Sequence, residues 1–150
     1  MIKTARLSDA VAIWRLSGVY AKKNEMLART LGDIYESIKE FKVYKQNHKV
    51  IGCAALHIYW HNLAEIRTLA VSPRYKRRGM GTALVESCLQ EARELGIKKV
   101  FTLTTSPEFF KKLGFREMNK GKLPMKVWGD CQRCPKFMEC DEVALIKSVD

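Results

Sequence analysis

Lys76-Arg77-Arg78-Gly79-Met80-Gly81 stands between an apolar run holding Ile66, Leu69 and Val71 and a helix-like stretch that opens Thr82-Ala83-Leu84. Glycines at 79 and 81 let the backbone approach a ligand with no Cβ in the way, and the first amides of the helix point outward with the positive end of its dipole. Such a junction cradles an anion, a phosphate above all. A dinucleotide fingerprint would need three glycines directly after the strand, and a Walker loop would need Gly-Lys-Ser/Thr; neither is here. The other cluster with chemical potential is Cys131, Cys134 and Cys140, a Cys-x-x-Cys with a third thiol nearby. Structural zinc takes four ligands, and no fourth cysteine or histidine lies close in sequence, so structural thiols are the default reading and zinc the minority one.

With Leu69-Ala70-Val71 ahead of it, the glycine loop resembles the acetyl-coenzyme A signature of the GNAT acetyltransferase superfamily, Gln/Arg-x-x-Gly-x-Gly/Ala behind a strand ending Leu-x-Val; Lys76 takes the usual Gln/Arg place. Phe109-Phe110-Lys111-Lys112-Leu113-Gly114-Phe115 resembles the element written Phe-Tyr-x-x-x-Gly-Phe, with Phe110 where many members carry a tyrosine general acid. Leu103-Thr104-Thr105, Ala64-Glu65-Ile66, the stretch from Leu123-Pro124-Met125 to Cys131 and Cys140-Asp141-Glu142 are similar to short, stand-alone amino-acid N-acetyltransferases of the N-acetylglutamate synthase type. Met125 departs from that pattern, in which histidine is common.

The resemblance implies transfer of acetyl from acetyl-CoA to the α-amine of L-glutamate. It keeps open another amino acid, a polyamine or a protein N-terminus as acceptor, and, from a different class, a basic binding module on an idle scaffold. Amine attack needs a base, and Glu65 occupies the place of a glutamate base; an ion pair with Arg67 is its structural alternative. The main chain of Leu69, Ala70 and Val71 would meet the pantetheine arm, with an amide at or near Val71 facing the developing oxyanion. Lys76, Arg77, Arg78, Gly79, Met80, Gly81 and Thr82 would hold the pyrophosphate, with Arg74 adding charge. Phe110 has no proton for the leaving thiolate; Thr104, Thr105 or Ser106 offers a hydroxyl, or simply ends a strand. Arg67, on Glu65's strand face by period two, and Arg29, before a helix, are the candidates for the acceptor's carboxylates.

The elements that must position these groups follow from periodicity. Residues 2–7 read as a strand; Ser8 can cap a helix with Ala10, Ile13 and Trp14 on its buried face; Thr30 with Asp33 starts a second helix burying Leu31, Ile34, Tyr35 and Ile38. Strands at 41–45 and 49–59 meet at Asn47-His48, and a third, 63–71, enters through His61-Asn62. Leu84, Cys88, Ala92 and Leu95 share one face of the next helix, which Gly96 ends. A strand at 100–104 should run parallel to the 63–71 strand. A short helix from Pro107 stops at Gly114, residues 115–118 begin a strand, and 141–147 closes the sheet. The order β-α-α-β-β-β-α-β-α-β-β makes an α/β protein with a mixed, mostly antiparallel sheet flanked by helices, matching the GNAT fold.

At 150 residues the chain suits one domain, 1–150, and its composition, 47% hydrophobic and 29% charged, is that of an ordinary globular protein. The formal charge of +11 favours an anionic partner, and with no recognition-helix or zinc-finger pattern nucleic acid is the minority reading. No apolar run approaches the ~20 residues of a membrane span, and Met1-Ile2-Lys3-Thr4 leads into a strand rather than a signal peptide, so a cytoplasmic location is expected. A homodimer is compatible with all of this. Cys53 and Cys88 fall on apolar faces and read as core.

Overall fold

Asn47 and His48 both take left-handed backbone, φ 53° and 64°, the geometry of a type I′ two-residue hairpin. They join β2 (Phe41–Gln46) to β3 (Lys49–Trp60), and the Trp60–Leu63 pair turns β3 into β4 (Leu63–Val71). β1 (Ile2–Thr4) adds antiparallel to β2, and β5 (Lys99–Thr104) runs parallel to β4 as the crossover rule requires. β7 (Val143–Ser148) lies between β5 and β6 (Arg116–Met118), antiparallel to both. The strand expected to close the sheet is thus an inner one, and the three-residue β6 is the edge. Ala144 and Leu145 show why: neighbours in sequence, they point to opposite faces and both are buried. The computed structural model describes residues 1–23, 25–124 and 142–149.

α1 (Ala10–Lys22) and α2 (Leu31–Glu36) pack on one face of the sheet, with Ile13, Tyr20 and Ile34 against Val43, Cys53, Ala55 and Ala70. α3 (Met80–Leu95) and α4 (Pro107–Lys112) cover the other, with Leu84, Cys88, Leu89 and Phe110 against Ala54, Leu56, Ala64 and Ile66. The Thr30–Asp33 start is a reciprocal cap: Thr30 Oγ1 accepts from Asp33 N at 3.0 Å and Asp33 carboxylate from Thr30 N at 3.3 Å.

Several local expectations fail for identifiable reasons. The first strand ends at Thr4 because Leu7–Asp9 winds into a 3-10 turn; Asp9, not Ser8, precedes α1, and its carboxylate reaches back to accept from Arg6 N at 2.8 Å rather than capping the helix. Trp14 is exposed, since at 100° per residue it lies outside the arc centred on Ile13 that buries Ala10, Leu16, Ser17 and Tyr20. α2 stops at Glu36, which takes Ile38 out of the helix and leaves Tyr35 exposed. Leu95 is 56% exposed at the last position of α3, where Gly96 (φ 83°) reverses the chain. Ile97 is buried in its stead, its amide bonded to Ala92 O at 2.9 Å while Gly96 N reaches Arg93 O at 3.1 Å, a Schellman ending.

β4 holds one residue more than the stretch of β3 opposite it, since Cys53 pairs with Ala70 but Ala55 with Arg67. The extra residue is absorbed around Thr68, whose φ of 55° is rare for a β-branched side chain and marks a bulge. Face parity inverts there. Ala64 and Ile66 pack against α3, and so do Leu69 and Val71, whereas Ala70 sits in the core beneath α1.

Candidate active site

β4 and β5 are register partners only through Leu63–Lys99, Ala64–Val100 and Glu65–Phe101, after which they part. Thr102 Oγ1 bridges the start of the gap, donating to the Ile66 carbonyl at 2.9 Å. A bulged strand twists more strongly than its neighbour, which drives this divergence. Between the strands opens a cleft of about 800 Å³ bounded by β4 from Glu65 to Leu69 with Val71, the start of α3, the end of β5 and the phenyl rings of α4.

At the α3 end the loop has left-handed residues on either side of Arg78, at Arg77 (φ 64°) and Gly79 (φ 82°). A Cβ on Gly79 would meet nothing within 4 Å, so glycine serves the backbone conformation there. Gly81 differs: a Cβ would come 3.3 Å from Phe109 Cζ, so its smallness lets α3 approach α4. The first bond of the helical ladder is Ala83 N to Gly79 O at 3.0 Å, which leaves the amides of Met80, Gly81 and Thr82 directed out of the helix start. Three amides, a positive dipole end and the cleft-lining Lys76 and Arg77 suit a diphosphate. Arg74 and Arg78 do not line the cleft; Arg78 lies over the Tyr75 ring, 5.4 Å from its centroid. Ala70 does not line it either.

Val71 is fixed from the opposite face. Tyr20, on α1, donates its hydroxyl to the Val71 carbonyl, and Lys76 Nζ stands 5.0 Å from the centre of the tyrosine ring. Burial, reinforced by the Glu25 carboxylate, raises the Tyr20 pKa, so the phenol remains a donor.

At the other end Glu65 is buried, 6% exposed; Tyr59 Oη donates to its Oε1 at 3.1 Å and Arg67 Nη1 lies 3.9 Å from the same oxygen. Tyr59 occupies an irregularity in β3, where Ile58 pairs with Ala64 but Trp60 with Leu63. Arg67 is 3.8 Å from Glu40 Oε1 and 3.2 Å from His57 Nδ1, which itself sits 3.0 Å from both Glu40 oxygens. Arg29 lines the same cleft. Glu65 and Arg67 thus meet in this cleft and Arg29 lines it with them, as do Leu69, Val71, Lys76, Arg77, Gly79, Met80, Gly81 and Thr82.

Sequence reasoning missed Tyr20 and Tyr59. Tyr20's signal was its i+7 spacing from Ile13, which places its ring inside; Tyr59's was period-two parity with His57, the cross-strand partner of Glu65. Thr104 Oγ1 accepts from Ser106 N at 2.9 Å, the strand-end role. Phe110 is buried edge-on to Phe109 and Phe115, with ring centres 5.0 and 5.3 Å apart. Burial pushes the thiols of Cys53 and Cys88 up to about 12. Cys131, Cys134, Cys140 and Met125 lie outside the described residues, among which no group of three metal-ligating side chains occurs. Among those residues, too, no helix is long and apolar enough to cross a membrane.

The acetyltransferase (GNAT) family pattern matches residues 9–115. An uncharacterized N-acetyltransferase of Chlorobaculum tepidum is 43% identical over 148 residues, 99% of this chain and 96% of that protein. The amino-acid acetyltransferase of Mycobacterium tuberculosis is 40% identical over 136 residues, 89% of this chain and 78% of its own. The crystal structure of N-acetylglutamate synthase from Neisseria gonorrhoeae, complexed with coenzyme A and N-acetyl-glutamate, superposes with a TM-score of 0.92 at 26% identity, over 100% of this chain and 35% of that one.

Proposed function

The chain belongs to the acetyltransferase (GNAT) family, whose co-substrate is acetyl-CoA, and from that premise we propose that it acetylates the α-amine of L-glutamate. The observation that carries this reading is a buried carboxylate beside a guanidinium, Glu65 with Arg67, in a cleft that Arg29 also lines and that reaches a diphosphate cradle at the start of α3. Acetyl-CoA supplies the acetyl group as a thioester.

Glu65 takes the proton of the acceptor's ammonium, directly or through one water, and Tyr59 keeps the carboxylate oriented by holding Oε1. Arg67 and Arg29 neutralise the acceptor's carboxylates and aim its amine at Glu65. On the far side of the bulge, the Val71 amide stabilises the carbonyl oxygen as charge develops on it, and Tyr20, through the Val71 carbonyl, steadies that peptide. Met80, Gly81 and Thr82 hold the diphosphate with their amides, and Lys76 and Arg77 neutralise it. Phe110 contributes no proton. A thiol of pKa ~8.5 leaves as thiolate at modest cost near pH 8.

One observation favours a second acceptor. Arg67 already faces Glu65 and Glu40 at 3.9 and 3.8 Å, and the adjoining cavity is lined by Asp33 and Glu36 as well, which suits an amino acid with an uncharged side chain, such as glutamine. Thiol release from acetyl-CoA with glutamate, glutamine, a polyamine and a peptide N-terminus decides. Glutamate should give the highest kcat/KM; a faster polyamine or peptide would refute the amino-acid reading.

A further inference from the structure

Behind Arg67 lies a second cavity, about 320 Å³, that shares Arg29, Tyr59, Arg67 and Thr68 with the main cleft. His57 and Glu40 form part of its wall, and His57 is their hub. Its ring stands edge-on to Tyr59, 4.7 Å between centres, and its Nδ1 touches Glu40 on the turn before β2 and Arg67 on β4.

These contacts assign the proton. A carboxylate only accepts, so Nδ1 at 3.0 Å from both Glu40 oxygens must carry hydrogen. Bearing it, Nδ1 cannot accept from Arg67, and the 3.2 Å approach of Nη2 is a meeting of two donors beside one carboxylate. Were the proton on the other ring nitrogen, the imidazole would capture Arg67 and Glu40 would face a lone pair.

Resting on the amino-acid acceptor proposed above, we propose that His57 and Glu40 are positioning residues that reserve Arg67 for the acceptor's carboxylate. Glu40 fixes the His57 tautomer, and the pair confines the guanidinium, 3.2 Å from Nδ1 and 3.8 Å from Glu40 Oε1, to the junction of the two cavities, where an acceptor's carboxylate would meet it. The pair acts on acceptor recognition, not on acetyl transfer itself, because neither side chain lines the main cleft.

The test is steady-state kinetics on the amino acid that the wild type turns over best. His57→Leu should raise the KM for that acceptor about tenfold, the scale of a lost charge-assisted contact, with kcat within twofold and the KM for acetyl-CoA unchanged. His57→Asn, whose amide N–H can stand where Nδ1–H stood, should recover most of the loss, a rescue that mere packing would not give. Glu40→Ala truncates a part-exposed side chain and should repeat the KM effect, so the inference is tested even where His57→Leu does not fold. Unmoved KM values in folded His57→Leu and Glu40→Ala overturn this inference alone. A wild type that acetylates only amines without a carboxylate overturns the amino-acid reading with it.

Discussion

Glu65 and Phe101 form the last pair of the parallel ladder between β4 and β5. The carboxylate therefore stands where the sheet is still closed behind it and the cleft has just opened in front. If it is the base, Glu65→Gln should lower kcat at pH 7 by about 10²–10³, within the range of general-base catalysis. Part of that rate should return towards pH 9, where free amine is abundant. A pH–rate profile checks this, and a uniform loss at every pH would assign Glu65 a structural role.

Arg29→Ala and Arg67→Ala should each lower kcat/KM for glutamate by about 30-fold or more, since truncating one partner of a buried ion pair costs ~2–5 kcal/mol. The affinity for coenzyme A, measured by calorimetry, should not move. Full glutamate activity in both variants would remove the two arginines from the acceptor site.

The glycines of the cradle should separate experimentally. Gly79→Ala places a Cβ at φ 82° with open space around it, so it should cost about 1–2 kcal/mol of backbone strain and lower Tm by a few degrees. Gly81→Val must push Phe109 aside as well as obstruct the diphosphate, and should abolish the rise in Tm on adding coenzyme A. A full ligand shift in a folded Gly81→Val protein would refute the cradle.

Cys53 and Cys88, with thiols pushed up to about 12 from 9, should resist alkylation at pH 8 in the native state and react on unfolding, as read by peptide mass. The same shift has a definite sign. Both thiols keep their protons in the folded state where the unfolded chain loses them, so they stabilise fully below pH 9 and progressively less as the pH rises towards 12. Denaturant midpoints across that window should fall more steeply than in Cys53→Ala.

The sheet meander, the parallel crossover and the capped helix at Thr30 were legible because each rests on local signals: Asn47-His48, Gly96, Thr30 with Asp33. What was not legible depends on register. Counting by twos along β4 placed Arg67 beside Glu65 correctly, yet the same count carried past Thr68 puts Leu69 and Val71 on the wrong face. Nothing local in Arg67-Thr68-Leu69 announces an extra residue; it exists only relative to β3. Tyr59 escaped for the same reason, and the place of β7 inside the sheet is set by strands far away in sequence.

Thr68 acts on β4 as a frameshift acts on a message. Upstream of it the odd positions Glu65 and Arg67 share a face and meet at 3.9 Å; downstream the odd positions Leu69 and Val71 face α3 and the cradle. A single-residue deletion at Thr68 would let Leu69 follow Arg67 in a regular ladder with Leu69 and Val71 still facing α3 and Ala70 still beneath α1; what it would remove is the bulge, and with it the extra twist that parts β4 from β5. The extra residue therefore leaves every face where it was and changes only the course of the strand, so the width of the cleft rather than the order of its lining depends on it.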